Sequence, residues 1–137
     1  MAFIKIKGKT KVEWLPVTPS TALVKGTLVE FTSGKLAAAD DGETAANIKG
    51  VLLKTIASTD ADYASDRLVP VLVPVERHVV WEADTADTYV QATHCGVEFG
   101  IIDSANVDLD DTTDDVFLVT GGNGLKVRGY LKINGSY

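Results

Sequence analysis

The sequence is short of the residues that build chemistry. One cysteine, Cys95, stands alone among 137 residues. No internal disulfide can form, which fits a reducing compartment. The two histidines, His78 and His94, lie sixteen positions apart, and His78 has no ligand-type neighbour in sequence, so no metal site is expected. There is no phosphate-cradling glycine loop and no dinucleotide fingerprint, and no cofactor is expected. No apolar run approaches the length of a membrane span, so no membrane partner is expected. The opening MAFIKIKGK interleaves lysines with apolar residues, which is not the pattern of a secretory signal. Basic residues are also in deficit. Thirteen Lys and Arg face 19 Asp and Glu, a formal net charge of -6. An acidic surface repels phosphate backbones, so no nucleic-acid partner is expected.

What is present is a folding composition. Hydrophobic residues make up 45% of the chain, enough for one domain with one core. The stretch Gly26–Leu53, GTLVEFTSGKLAAADDGETAANIKGVLL, reads as scaffold. It holds a strand at Leu28–Phe31, a Thr32-Ser33-Gly34 reversal and a second strand at Lys35–Ala38. A polar loop, Asp40–Asn47, then leads to a β-branched run at Ile48–Ile56. Gly34 can take the positive φ that a tight hairpin needs. Val29-Glu30-Phe31 recurs as Val97-Glu98-Phe99, each followed by an Asp-rich loop and an apolar strand. This is either a duplicated hairpin-loop-strand unit or the ordinary reuse of valine and glutamate in strands.

Residues 2–14 alternate with a period of two. Ala2, Ile4, Ile6, Gly8, Thr10, Val12 and Trp14 fall on one face. Phe3, Lys5, Lys7, Lys9, Lys11 and Glu13 fall on the other. Four of the 13 basic residues are concentrated here, which leaves the rest of the chain strongly acidic. Two readings stay open. One is an extended arm that adds a strand to a partner and meets its acidic surface. The other is an edge strand whose lysines discourage edge-to-edge pairing. Pro16 and Pro19 read as a hinge, which divides the chain into an arm and hinge over 1–20 and a β domain over 21–137.

Further along, 57–67 is polar, with room for one helical turn. Leu68–Val75, LVPVLVPV, carries prolines on one side of its alternation and reads as an edge or bulged strand. Glu76–Glu82, Tyr89–Thr93 and Gly96–Ile102 read as strands, and Asp103–Asp115 as an acidic loop. Val116–Thr120, Gly121–Gly124 and Leu125–Ile133 form the strongest hairpin signal. The sum is an all-β fold, a small β-barrel or sandwich of short antiparallel strands.

Candidate chemistry is thin. His94-Cys95 sits in a stretch read as strand, where neighbours point to opposite faces, so the cysteine is expected to be buried and structural. Asp103, Asp108, Asp110, Asp111, Asp114 and Asp115 offer oxygens for calcium. However, the glycine and glutamate of a helix-loop-helix calcium loop are replaced by Thr113 and Val119. An enzyme is not expected.

The stretch GTLVEFTSGKLAAADDGETAANIKGVLL resembles tailed-phage capsid decoration proteins, also called cement or head-stabilising proteins. In these a glycine-led strand, a short turn, a "kl.pa" strand and a polar loop precede a Gly-Val opening. CGVEFGIIDSANVDLDDTTDDVFLVTG is similar to the closing hairpin of some phage head proteins. The resemblance implies a non-enzymatic homotrimer on the outer face of the expanded head, bridging major capsid subunits. It implies an arm that adds a strand to the capsid lattice, here Phe3, Ile4, Lys5, Ile6, Lys7, Lys9, Lys11, Val12 and Trp14. A competing expectation is a carbohydrate-binding β-sandwich or head-fibre base using Trp14, Trp81, Tyr63, Tyr89 and Tyr137.

Overall fold

A computed structural model of the chain describes residues 3–41, 47–76 and 78–132. Within them the regular secondary structure is almost wholly strand, and the all-β expectation holds. The first strands are β1 (Phe3–Lys7), β2 (Thr10–Pro16), β3 (Leu28–Thr32), β4 (Lys35–Ala38), β5 (Ile48–Leu52) and β6 (Leu68–Pro74). After β7 (Val80–Thr85) comes a single helical turn, α1 (Gln91–His94). The chain closes with β8 (Glu98–Asp103), β9 (Asn106–Asp108), β10 (Phe117–Asn123) and β11 (Lys126–Leu131).

The strands form two sheets of one plan. The first has the order β2-β6-β5-β3-β4. The second has β7-β11-β10-β8-β9, and β9 returns to pair with β7, which closes a five-stranded barrel. The first sheet also curls onto itself, because Val17, just after β2, bridges in parallel to Leu36 of β4. In both units the first strand meets the third in parallel and every other pairing is antiparallel. Strands β7 to β10 start 69 to 71 residues after β2 to β5. The Val-Glu-Phe echo recurs after 68 residues, two short of the 70 that separate the starts of β3 and β8, so it is out of step with the structural repeat. The duplication is therefore a repeat of topology and not of the three shared residues.

Local sequence explains the reversals. Ser33 and Gly34 both take positive φ, 53° and 76°, giving the two-residue hairpin between β3 and β4. At the β10–β11 turn Gly124 takes φ 62°.

Each unit has its own core. Val17, Leu23, Val29, Leu36, Leu52, Ile56, Val69, Val71 and Val73 fill the first. Trp81, Phe99, Ile101, Phe117, Val119 and Val127 fill the second, and Leu28, Ile48 and Val51 join this second cluster from β3 and β5. Alternate residues of the first sheet therefore serve both sides. One face lines its own barrel and the other packs on its neighbour.

Four expectations need correction. Residues 3–16 are not a free arm. β1 is built into the second sheet beside β7, and β2 pairs with β6 along its full length. The apparently continuous alternation is cut by Gly8, whose φ of 109° turns the chain from one sheet to the other. A Cβ at Gly8 would lie 2.8 Å from the Val79 Cα. Pro16 and Pro19 are no hinge either. Pro16 ends β2 opposite Leu68, and Thr18 donates to the Leu36 carbonyl through its N–H at 3.1 Å and its hydroxyl at 2.8 Å.

Third, β6 is interior, between β2 and β5. The Pro70 carbonyl accepts from the Leu53 N–H at 3.0 Å, so its backbone faces the β5 side. A strand residue's N–H and C=O point the same way, so the missing donors of Pro70 and Pro74 fall on that side. There β6 pairs only at Leu72 and Val71, and the ladder to β2 stays whole. Fourth, Tyr89–Thr93 is not a strand. The His94 N–H bonds the Val90 carbonyl at 2.8 Å, closing α1.

Gly50 marks the tightest crossing of β5 and β6. A Cβ there would collide with the Leu72 carbonyl oxygen and lie 3.0 Å from a Val71 methyl. Gly50→Ala is expected to cost about 1–3 kcal/mol through overpacking, read as a lower urea midpoint. An unchanged midpoint would mean that β5 and β6 are not packed as described.

Candidate docking surface

The most distinctive surface is the open flank of β2. β2 ends the order of the first sheet. Its odd residues face the β6 ladder, as the Val17 N–H bonding the Arg67 carbonyl at 3.0 Å shows. The backbone groups of Thr10, Val12 and Trp14 therefore point to the free side. β4 reaches that side only at Val17 and Thr18.

The side chains above this flank are apolar and wet. Trp14 is 61% exposed, Leu68 58% and Val12 48%. The register places Val12 opposite Leu72, Trp14 opposite Pro70 and Pro16 opposite Leu68. Opposed residues of an antiparallel pair share a face, so these six form one continuous apolar strip. Leu72 sinks against the second core while Trp14, one strand farther out, stands in solvent. An exposed apolar strip beside unpaired strand backbone is the usual mark of an interaction surface.

The other arm residues are divided. Phe3 is in the core, its ring edge-on to Phe117 at 6.3 Å. It cannot contact a partner. Ile4 and Ile6 are exposed on β1, with a bulge between Lys5 and Lys7. Lys5, Lys7, Lys9 and Lys11 are all exposed, and the Lys5 ammonium donates to the Thr10 hydroxyl at 3.3 Å. Lys9 is tied at its backbone. Its N–H donates to the Glu76 carboxylate at 3.1 Å and its carbonyl accepts from Val75 at 3.0 Å. Leu68 and Pro70 were missed in the sequence because they join the strip only through cross-strand register.

Glu13 lies on the opposite face of β2 between two lysines. Its carboxylate is 3.0 Å from the Lys49 ammonium and 3.3 Å from that of Lys11. Burial pushes its pKa up, but the two lysines outweigh this and hold it below the ordinary 4.5.

Other sites are weaker. The carboxylates of Asp87, Asp108 and Asp110 offer oxygens within 4.8 Å of one another. This unites part of the predicted acidic loop with a residue from the β7–α1 connection. Exposed carboxylates gather this way without an ion. Asp111 is stabilised as a carboxylate by the hydroxyl and N–H of Thr113, which lowers its pKa, whereas desolvation and the Asp111 charge raise that of Asp114. A hollow of about 450 Å³ is lined by Glu82, Gly122, Asn123, Lys126 and Arg128. Both cations there are already paired, Lys126 with Asp84 at 2.5 Å and Arg128 with Glu82 at 3.1 Å.

Cys95 is exposed rather than buried, because it follows a helical turn instead of lying in a strand. Its thiol donates to the Thr120 carbonyl at 3.4 Å, while the His94 Nδ1 accepts from the Val90 N–H at 2.9 Å. The imidazole Nδ1 is thus occupied with backbone. The aromatics do not converge on a sugar platform. Trp81 is core, Tyr63 and Tyr89 pack on different clusters, and Tyr137 lies outside the described residues.

No family model, curated protein or solved structure matches the chain.

Because the folded pKa of Glu13 is lowered, its carboxylate stabilises the fold above the unfolded value. That contribution disappears as pH falls through the folded value. Wild type is therefore expected to exceed Glu13→Gln in stability at pH 7, with the gap closing below about pH 4.5. Urea unfolding of both proteins across that range checks this, and a gap independent of pH would refute the charge interaction.

Proposed function

We propose that this chain is a structural, non-enzymatic protein that docks on the outer surface of a tailed-phage head and stabilises it. On that reading it bridges major capsid subunits after expansion, with copies grouped about local three-fold positions. The observation that carries the proposal is the open β2 flank with exposed Trp14 above it. The resemblance of Gly26–Leu53 to capsid decoration proteins supplies the identity of the lattice. The mode differs from a flexible arm. The strand acceptor is held rigid by β6, so little backbone ordering is left to oppose binding. A partner strand laid along Thr10, Val12 and Trp14 would gain backbone hydrogen bonds worth about 0.5–1.5 kcal/mol each. Lys9 and Lys11 would favour an acidic rim on the partner. Several copies on one shell turn such modest contacts into avidity.

Deleting residues 1–15 is not a clean test, because it would remove Phe3 from the core and β2 from β6. Trp14→Ala is cleaner, since the side chain is 61% exposed. Truncating a central aromatic anchor costs about 2 kcal/mol or more at an interface. Trp14→Ala is expected to fold normally yet bind expanded empty heads of the encoding phage about 30-fold less tightly in co-sedimentation. A variant that decorates heads like wild type, or a wild-type protein that ignores heads, would overturn the proposal.

A further inference from the structure

The repeat shows what belongs beside β2. In the second unit, β7 holds the place that β2 holds in the first. Its C-terminal end, Asp84 and Thr85, pairs in parallel with β9. Its N-terminal part, Val80 to Ala83, is covered on the same flank by β1, running antiparallel. In the first unit the C-terminal end of β2 likewise meets β4 in parallel, at Val17. The N-terminal part, Thr10 to Leu15, has no counterpart of β1 among the described residues. The same architecture that supplies an antiparallel strand to β7 leaves that position vacant on β2.

We propose that in the free protein a second copy of this chain fills the position, β2 pairing antiparallel with β2 about a two-fold axis at Val12. The sequence of β2 selects both the occupant and the register. Centred on Val12, the pairing sets Lys11 opposite Glu13 of the other copy, twice. Val12 meets Val12, and Thr10 meets Trp14. The outward backbone groups of Thr10, Val12 and Trp14 all fall at hydrogen-bonded positions. Shifting the centre by one residue brings Glu13 onto Glu13 or Lys11 onto Lys11, and like charges directly opposed are destabilising. Lys11 is exposed and Glu13, half-buried, already holds Lys49 at 3.0 Å, so these interchain pairs set register more than affinity. Such an interface uses the same patch on both copies, as a two-fold contact requires.

The inference rests on the proposed function in one respect only. The flank covered in the free dimer is the one offered to the lattice, so docking exchanges one strand partner for another. Its test needs no heads, and its failure is separate from a failure of decoration. Light scattering and sedimentation of the full chain are expected to give a mass of twice 14.6 kDa. Val12→Pro removes a donor that points away from β6, so the fold should persist by circular dichroism. Its dimer should weaken about tenfold or more. In a Cys95→Ser background, Val12→Cys alone is expected to form an interchain disulfide on oxidation. Thr10→Cys and Trp14→Cys are expected to cross-link only when mixed with each other. A monomer at all concentrations up to about 1 mM would overturn the proposal. So would a trimer, a dimer indifferent to Val12→Pro, or cross-linking through Thr10→Cys alone.

Discussion

Every strand carries two rows of backbone donors and acceptors, and a sheet is finished only when both rows are satisfied. This molecule meets that demand by curling five strands until the first meets the third. The closure is partial. A parallel contact covers only the end of the leading strand, at Thr85 in one unit and Val17 in the other. The remainder of each leading strand must find a neighbour or stay open. β1 satisfies β7. Among the described residues β2 stays open. Charged Lys9 and Lys11 and apolar Val12 and Trp14 stand exposed along it.

The two units are held together by division of labour within single strands. In β3, Leu28 joins the second core while the adjacent Val29 joins the first. In β5, Val51 and Leu52 divide in the same way. A one-residue slip in either strand would empty both cores at once, so register here is specified twice over. That double constraint holds the exposed edge of β2 in one register.

Local features were legible in the sequence and cross-strand ones were not. Ser33-Gly34 and Gly124 announced their turns because a positive φ is a property of one residue and its immediate neighbours. The alternation marked strand at Phe3–Lys7 and from Thr10 onward, and it did not show the break at Gly8-Lys9. Phe3 defeated the pattern. It lies on the lysine side of the alternation, yet Gly8 turns β1 into a different sheet, where the Phe3 end of that side reaches a core while Lys5 and Lys7 stay exposed. The prolines of β6 suggested an edge because which neighbour each backbone row serves cannot be read from one strand. His94 and Cys95 were placed in a strand, where no periodicity distinguishes four residues of extended chain from one helical turn. The strip beside Trp14 needed Leu68 and Pro70, some 54 residues away in the chain, and only pairing brings them there.

The crossing at Gly8 has a mechanical consequence. β2 is held to β6 at seven consecutive positions and β1 to β7 at four. A tug along β2 loads its whole ladder in shear, with every hydrogen bond strained together, instead of peeling them one by one. What β2 does not absorb passes through Gly8-Lys9 into β1 and so into the second sheet. Tension entering at one flank is thereby spread across both halves of the molecule, the behaviour of a rivet set through two plates.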